Sequence, residues 1–387
     1  MFPRIFDRYL GRQVASATLI GVALLSGVMV LGNVYKKLDQ LLGNTELPLS
    51  VIAEFVMLVI PFSLIFTIPW AFLTGILLVF GRLSADNELV SLRMTGMSMP
   101  RICAPVFVLA VALSGICLWV NVSLAPAAKD RMKRLFYQVA VKNPETLFQE
   151  GQVLDRVPGY RIYTSKRHDK TLTDLHIIML KDANAINYIH AKKATLHTAP
   201  GSMDLLMEME GTTAELLPGQ DKDKEKEKEK DKGSQNGSSE GSSFKTQWLK
   251  LSLSEMQKDV VRVNASMKTT SALAEEVSTW KDTVTGEALT PVTRSLSLTE
   301  LNKRYSFSLA CITFALVGIP LGVTAQRRET SSGFALSLIT ATVYIVFIIL
   351  ADTLNDKPAA MPHLIMWLPN VIFLGMGGWL FYKLSRK

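Results

Sequence analysis

The residues best equipped for chemistry sit in short polar stretches between long apolar ones, and none of them forms a catalytic set. The first group lies in Gly81 to Arg101, GRLSADNELVSLRMTGMSMPR. Here Asp86, Glu88 and Arg93 are interleaved with Leu83, Leu89, Val90, Leu92 and Met94, a mixture too polar to span a membrane and too apolar for a plain linker. The pattern predicts a short amphipathic helix, with Asp86 or Asn87 near its start and Gly96 ending it. Glu88 would stand in the first turn, either as an ordinary solvated carboxylate or as an acceptor for a docked soluble partner. The second group is cationic: Lys36 and Lys37 beyond the first apolar stretch, and Arg131, Lys133 and Arg134 beyond the third. Cations at such places either snorkel to headgroups or rim a site for the phosphates of an anionic lipid.

Other chemistries find no support in the residue types. His190 and His197 are seven apart, which puts them on opposite faces of a continuous strand, and no Cys or acidic cluster completes a ligand set. No metal site is expected. His-Glu-x-x-His and a phosphate loop ending in Gly-Lys-Ser/Thr are absent from the sequence. The chain is therefore expected to be neither an enzyme nor the holder of its own cofactor. Cys103, Cys117 and Cys311 all fall in apolar segments and read as small lipid-facing or packing residues. The net charge of +8 arises from 42 basic and 34 acidic residues, and beside so much apolar sequence it points to headgroups, with no motif for nucleic acid.

The elements that must position these groups are set by hydrophobic blocks. Hydrophobic side chains make up 48% of 387 residues, more than one soluble core needs. Six stretches meet the requirement of about 20 apolar residues for a membrane helix: 13–35, 51–80, 103–124, 306–325, 333–354 and 363–382. Pro61 and Pro69 predict a kinked or tilted second span. Arg4, Arg8, Arg12, Arg82, Arg93, Arg101, Arg327 and Arg328 all flank one side, which predicts cytoplasmic termini and an extracytoplasmic insert. Lys129, Lys303 and Arg304, close to the membrane on the outer side, run against that rule and fit the same headgroup contacts as Arg131.

The insert alternates with period two in GYRIYTSKR, LTDLHIIMLK, INYIHAKKATLH, MDLLMEMEGTTAELL and FKTQWLKLSLS, so an all-β domain is expected. Residues 219–243, charged and then Gly/Ser-rich, predict a mobile, dispensable extension between two strands. The predicted fold is a membrane bundle of six helices, three plus three, with an inserted extracytoplasmic all-β domain, a sandwich, jelly roll or open barrel. Residues 1–127 would carry the first three spans and the amphipathic helix near 84–96, 128–304 the β domain, and 305–387 the last three spans. Gly318-x-x-x-Gly322 in the fourth span allows close helix approach, although chance also yields that spacing.

The pattern Gly81-Arg82-Leu83, Glu88-Leu89-Val90 and Gly96 resembles the coupling-helix segment of the LptF/LptG (YjgP/YjgQ) lipopolysaccharide export permeases. Phe6-Asp7-Arg8-Tyr9-Leu10, Ile189-His190-Ala191-x-x-Ala194 followed by a Gly211 turn, and Trp367-Leu368-Pro369-Asn370 are similar to the family pattern in the same order. The resemblance implies one permease of an ABC exporter that lifts lipopolysaccharide from the inner membrane, with the insert as a periplasmic all-β, jellyroll-like domain and 84–96 as a coupling helix. It implies as partners a second LptF/LptG-type permease, an LptB-like ATPase dimer holding ATP and Mg, and LptC/LptA-like periplasmic bridge proteins. It also makes Glu88 the residue that meets the ATPase, with Asp86, Arg93 and Gly96 beside it, and places Lys36, with the extra Lys37, against lipid A phosphates. Arg131, Lys133 and Arg134 rest on charge and position alone. Rival readings are another ABC permease, for lipoprotein release or mechanical signalling, and a non-transporting membrane scaffold. Six spans split evenly argue against the first.

Overall fold

The computed structural model describes residues 3–42, 49–142, 148, 150–154, 159–168, 170–181, 184–198, 204–216, 242–252, 264–324 and 330–386. Contacts divide the chain into a helical unit, Met1–Val34, Ala53–Met132 and Val263–Lys387, and a second unit, Tyr35–Ile52 and Lys133–Arg262.

The helical unit is built from α1 (Pro3–Leu42), α2 (Leu49–Ala85), α3 (Glu88–Met94), α4 (Met99–Trp119) and α5 (Ala125–Lys142), the ends of α1 and α5 and the start of α2 lying in the other unit. It continues with α6 (Thr270–Thr279), α7 (Pro291–Thr324), α8 (Thr330–Thr353), α9 (Pro362–Ile365) and α10 (Leu368–Arg386). Five segments are long and apolar enough to cross a membrane: Ile5–Tyr35, Ser50–Ala85, Met99–Leu135, Pro291–Thr324 and Ala335–Thr353. Pro358–Ile365 and Leu368–Arg386, bent by 43° at their break, make a sixth when taken as one span. Pro369 falls in the first turn of α10, where a missing amide proton costs nothing. This is the expected helical membrane bundle.

The third span differs from its expected end near Leu124. A π segment, Val120–Leu124, joins α4 to α5 without a break. Asn121 lies within it and donates from Nδ2 to the Cys117 carbonyl at 3.0 Å and to Ser308 Oγ at 3.3 Å, while Ser114 Oγ donates to the Ser308 carbonyl at 2.5 Å. These polar groups satisfy one another between α4 and α7, as a bilayer demands. Cys103, Cys117 and Cys311 are all buried, so of the two expected roles, lipid-facing or packing, the structure selects packing.

Close helix approach is achieved by glycines. A Cβ at Gly318 would meet Leu73 and Ile76 of α2 at 3.1 and 3.2 Å, and one at Gly322 would meet Phe80 at 3.0 Å. The Gly318/Gly322 pair is thus the seat of α2 on α7. A cluster of polar groups from three helices locks the other side: Asn370 donates to the Ser306 carbonyl and Oγ, both at 2.8 Å, and accepts from Thr313 Oγ1 at 3.2 Å and Tyr344 Oη at 3.3 Å. The Trp367-Leu368-Pro369-Asn370 stretch therefore works as packing between α7, α8 and α10.

The second unit carries β1 (Val153–Leu154), β2 (Tyr160–His168), β3 (Thr171–Lys181), β4 (Asn184–Thr198), β5 (Asp204–Leu216) and β6 (Ser242–Ser252). They form one antiparallel sheet in sequential order, with the apolar core on one face. The tract 219–243 lies outside the described residues except for Ser242 and Ser243, which open β6.

Strict alternation fails along one line across this sheet. Arg167, Leu172, Ala194 and Met209 are opposed in one buried row, and Thr164, Leu175, Ala191 and Thr212 in the next. Within each strand the two rows are three residues apart, whereas a period of two allows only even separations. Asp174 (φ 56°) and Gly211 (φ 63°) adopt left-handed backbone on this line and supply the extra step. The ladder pairing skips Asp174, Lys192 and Gly211. Gly211, expected at a turn, is instead inside β5, where a Cβ would press on Lys192 at 3.2 Å. His190 and His197 lie on either side of the crease, so both face away from the core, and the expectation of opposite faces is corrected.

Candidate functional site

The loop after α2 folds as α3, a two-turn helix at the end of the helical unit. Asn87 enters it with φ 57°, and the Gly96 amide (φ 86°) donates to the Arg93 carbonyl at 2.9 Å. A Cβ at Gly96 would meet nothing within 4 Å, so glycine serves here for its backbone angle alone. Leu89 is buried and Leu92 and Met97 pack beside it on the core formed by Leu10, Phe80, Leu83 and Ile102. Val90 and Met94, four residues apart, are 50% and 84% exposed on the opposite side. An amphipathic helix has one face for its own core, so an outward apolar pair is surplus to folding.

Asp86 is exposed in the turn before α3, Glu88 is half-buried at its first position, and Arg93 is half-buried in its last turn. Glu88 makes no side-chain ion pair or hydrogen bond among the described residues. The loop is tied to the bundle at both ends: Ser84 Oγ donates to the Val323 carbonyl at 3.0 Å, and Arg101 pairs with Asp7 of α1 at 2.8 Å.

The cationic residues do not gather into one cluster. Lys36 and Lys37 belong to the backbone of α1, but their side chains lie outside the described residues. Arg131 Nε lies 2.9 Å from Glu54 Oε1 in an exposed ion pair, so its charge is already partnered. Lys133 and Arg134 follow on α5 in the other unit, and neither is free of partners. Lys129 sits over the Phe62 ring at 5.1 Å, and Lys303 pairs with Asp352 at 2.6 Å. Arg304 does not snorkel at all. It is 3% exposed and donates to Thr270 Oγ1 and to the carbonyls of Ala265, Ser266 and Lys268.

Two groupings escaped the sequence reading. One is the buried network that docks residues 264–290 on α7, where Lys268 pairs with Glu276 and with Asp282 at 2.8 Å. Glu276 also accepts from Thr283 Oγ1 at 2.9 Å and Ser297 Oγ at 3.0 Å. The other brings Asp174, His176 and His190 together on the outer face of the sheet. The signal for it was the Asp174-x-His176 spacing on β3, but its third member comes from the neighbouring strand, and only the pairing register reveals that.

The family model described as lipopolysaccharide export system permease LptF/LptG matches residues 8–383. No curated protein matches the chain.

Proposed function

The chain belongs to the lipopolysaccharide export permease family LptF/LptG, and from that premise we propose that it is one of two permeases in an ATP-driven exporter, coupled to its ATPase through α3. Membership makes it a multi-pass inner-membrane transporter component and not an enzyme. In this proposal the termini and α3 are cytoplasmic and the sheet is periplasmic. An LptB-like ATPase dimer holds ATP and Mg, and LptC/LptA-like proteins receive the lipid.

The observation that carries the coupling assignment is the outward pair Val90 and Met94 beside Glu88, whose carboxylate has no ion pair among the described residues. Burying such a pair in a partner groove is worth about 1.5–3 kcal/mol for the exposed Met94 and about half that for the half-buried Val90, and a charge-assisted contact from Glu88 would fix the register. Asp86, Arg93 and Gly96 shape that surface, Gly96 through its backbone. Motion delivered to α3 would pass into the bundle at the Ser84 and Arg101 ties.

Lipid capture falls to the apolar helix faces and the outer cations. Leu19, Leu24, Val28 and Leu31 expose an apolar stripe on α1 that suits either acyl chains or the partner permease. Lys36 and Lys37 at its far end suit phosphates. Arg131, Lys133 and Arg134 contribute less, because each is already engaged. Transport requires the collapsed cavity to hold lipid less well than the β domain does, since an equilibrium shifts only by a difference in affinity.

The test is co-purification of the ATPase with the Glu88→Lys variant, together with ATP-dependent lipid release. Both should be lost; assembly and release at the native level would sink the assignment. Photocrosslinking of lipopolysaccharide to a Lys36→Glu, Lys37→Glu variant should fall, and unchanged crosslinking would remove those two lysines from the lipid path.

A further inference from the structure

We infer that Asp174, His176 and His190 form a divalent-cation site on the outer face of the sheet, with a zinc-type ion as its occupant. His176 and His190 are register partners on β3 and β4, their rings stacked at 4.7 Å between centroids and 26° between planes. His190 Nε2 is 2.8 Å and His176 Nε2 3.4 Å from the same oxygen, Asp174 Oδ1. All three donor atoms lie within 4.8 Å of one another. An ion bonded at about 2.0–2.1 Å to tetrahedral donors sets them about 3.3 Å apart, so His176 already stands at that spacing from Asp174, while His190 must draw back from the carboxylate by about 0.5 Å to admit the ion.

The atoms turned away from the triad are also held. Tyr188 Oη is 2.5 Å from His176 Nδ1, and Ser165 Oγ donates to Asp174 Oδ2 at 2.7 Å. With Nδ1–H donating to the phenol oxygen, His176 Nε2 presents its lone pair, which is how outer partners orient metal-bound imidazoles.

The crease explains why the carboxylate is there. Left-handed backbone at Asp174 steps the strand out of alternation and leaves 174 and 176 both on the outer face beside His190. Two imidazoles and one carboxylate favour zinc or a neighbouring first-row ion over Mg or Ca, which prefer all-oxygen shells. The side chains are 31%, 50% and 32% exposed for His176, Asp174 and His190, leaving an open side for entry and for water as fourth ligand. A bound ion would rivet β3 to β4 at the line where their ladder is interrupted.

The experiment is equilibrium dialysis of the untagged, chelator-stripped full chain in detergent against Zn2+, with metal analysis, and visible absorption of the Co2+ form. One ion per chain should bind saturably, and Co2+ should give the spectrum of a nitrogen- and oxygen-ligated tetrahedral site. His190→Asn with Asp174→Asn should abolish binding, Tyr188→Phe should weaken it about 10-fold to 100-fold, and His197→Asn should leave it unchanged. Should the double variant fail to fold, the Co2+ spectrum of His190→Asn alone decides. Absence of saturable binding, or binding and spectrum that persist in the His190 variant, would overturn the site.

Discussion

Ser84 Oγ donates a hydrogen bond to the main-chain carbonyl of Val323, so the last turn of α2 is bonded to the last turn of α7 across the bundle. Ser84 is 5% exposed, and both residues sit where the two helices end. The bond joins the helix that leads into α3 to the second half of the chain. Ser84→Ala should cost about 1 kcal/mol of stability and lower the amount of lipid released per ATP hydrolysed. A release ratio equal to the native one would show that force does not pass this way.

Asn370 is a hub that joins three helices through its side-chain amide. Replacing it with Leu removes its bonds to Thr313, Tyr344 and Ser306, all buried, and leaves each hydroxyl with only a main-chain carbonyl, of Ala310, Ser306 and Met366 respectively. Interhelical hydrogen bonds in membranes average near 0.6 and reach about 1.7 kcal/mol, so Asn370→Leu should destabilise by about 1–2 kcal/mol. Thermal unfolding of the detergent-purified chain reads this directly, with Ser306→Ala as the smaller effect.

Neighbouring glycines on α10 should respond oppositely. A Cβ at Gly377 would fall 2.8 Å from Val317 Cγ2 and 3.0 Å from backbone of α7, whereas one at Gly378 meets nothing within 4 Å. Gly377→Val should therefore cost about 1–3 kcal/mol through overpacking. Gly378→Ala should be neutral or slightly stabilising, by helix propensity. Equal melting temperatures for the two variants would contradict the α7–α10 packing.

The Lys268 network should set a pH window. Burial acts to lower the Lys268 pKa, but hydrogen bonds from its ammonium to Asp282 and Glu276, with their charges, outweigh it and leave the value raised. Burial acts to raise Asp282, and the Lys268 hydrogen bond with the Val284 and Thr285 amides outweighs it, leaving the value lowered. The lysine contribution is complete below its unfolded pKa of about 10.4 and disappears as pH rises through the raised value. The aspartate contribution is complete above about 3.9 and disappears as pH falls through the lowered value. Lys268→Met, which leaves Glu276 buried without its cation, should cost about 3–5 kcal/mol at neutral pH. The difference in melting temperature between this variant and the native chain should be flat through neutrality and shrink in acid.

Much of the architecture was legible because it rests on local signals. Apolar runs such as 51–80 exceed a bilayer's thickness whatever they pack against, and the strands of the insert announce themselves by period two. α3 was readable too, from a polar entry at Asp86 and Asn87, an apolar face through Leu89 and a glycine stop at Gly96. What misled was alternation itself. Counting from His190 to His197 assumes an unbroken strand, and the left-handed steps that break the parity occur at Asp174 and Gly211, on other strands.

The sequence by itself determined that this chain is a split membrane bundle with a β insert, a polar loop with Glu88 at a helix start, and cations beyond the spans, because those depend on residue type and spacing along one segment. Tertiary structure alone decided which of them meet. It drew Arg131 to Glu54 and buried Arg304 among carbonyls, and it set His176 against His190 beside Asp174. Pairings of that kind depend on register between strands and on the faces helices turn to one another, and neither is encoded in the separation of residues along the chain.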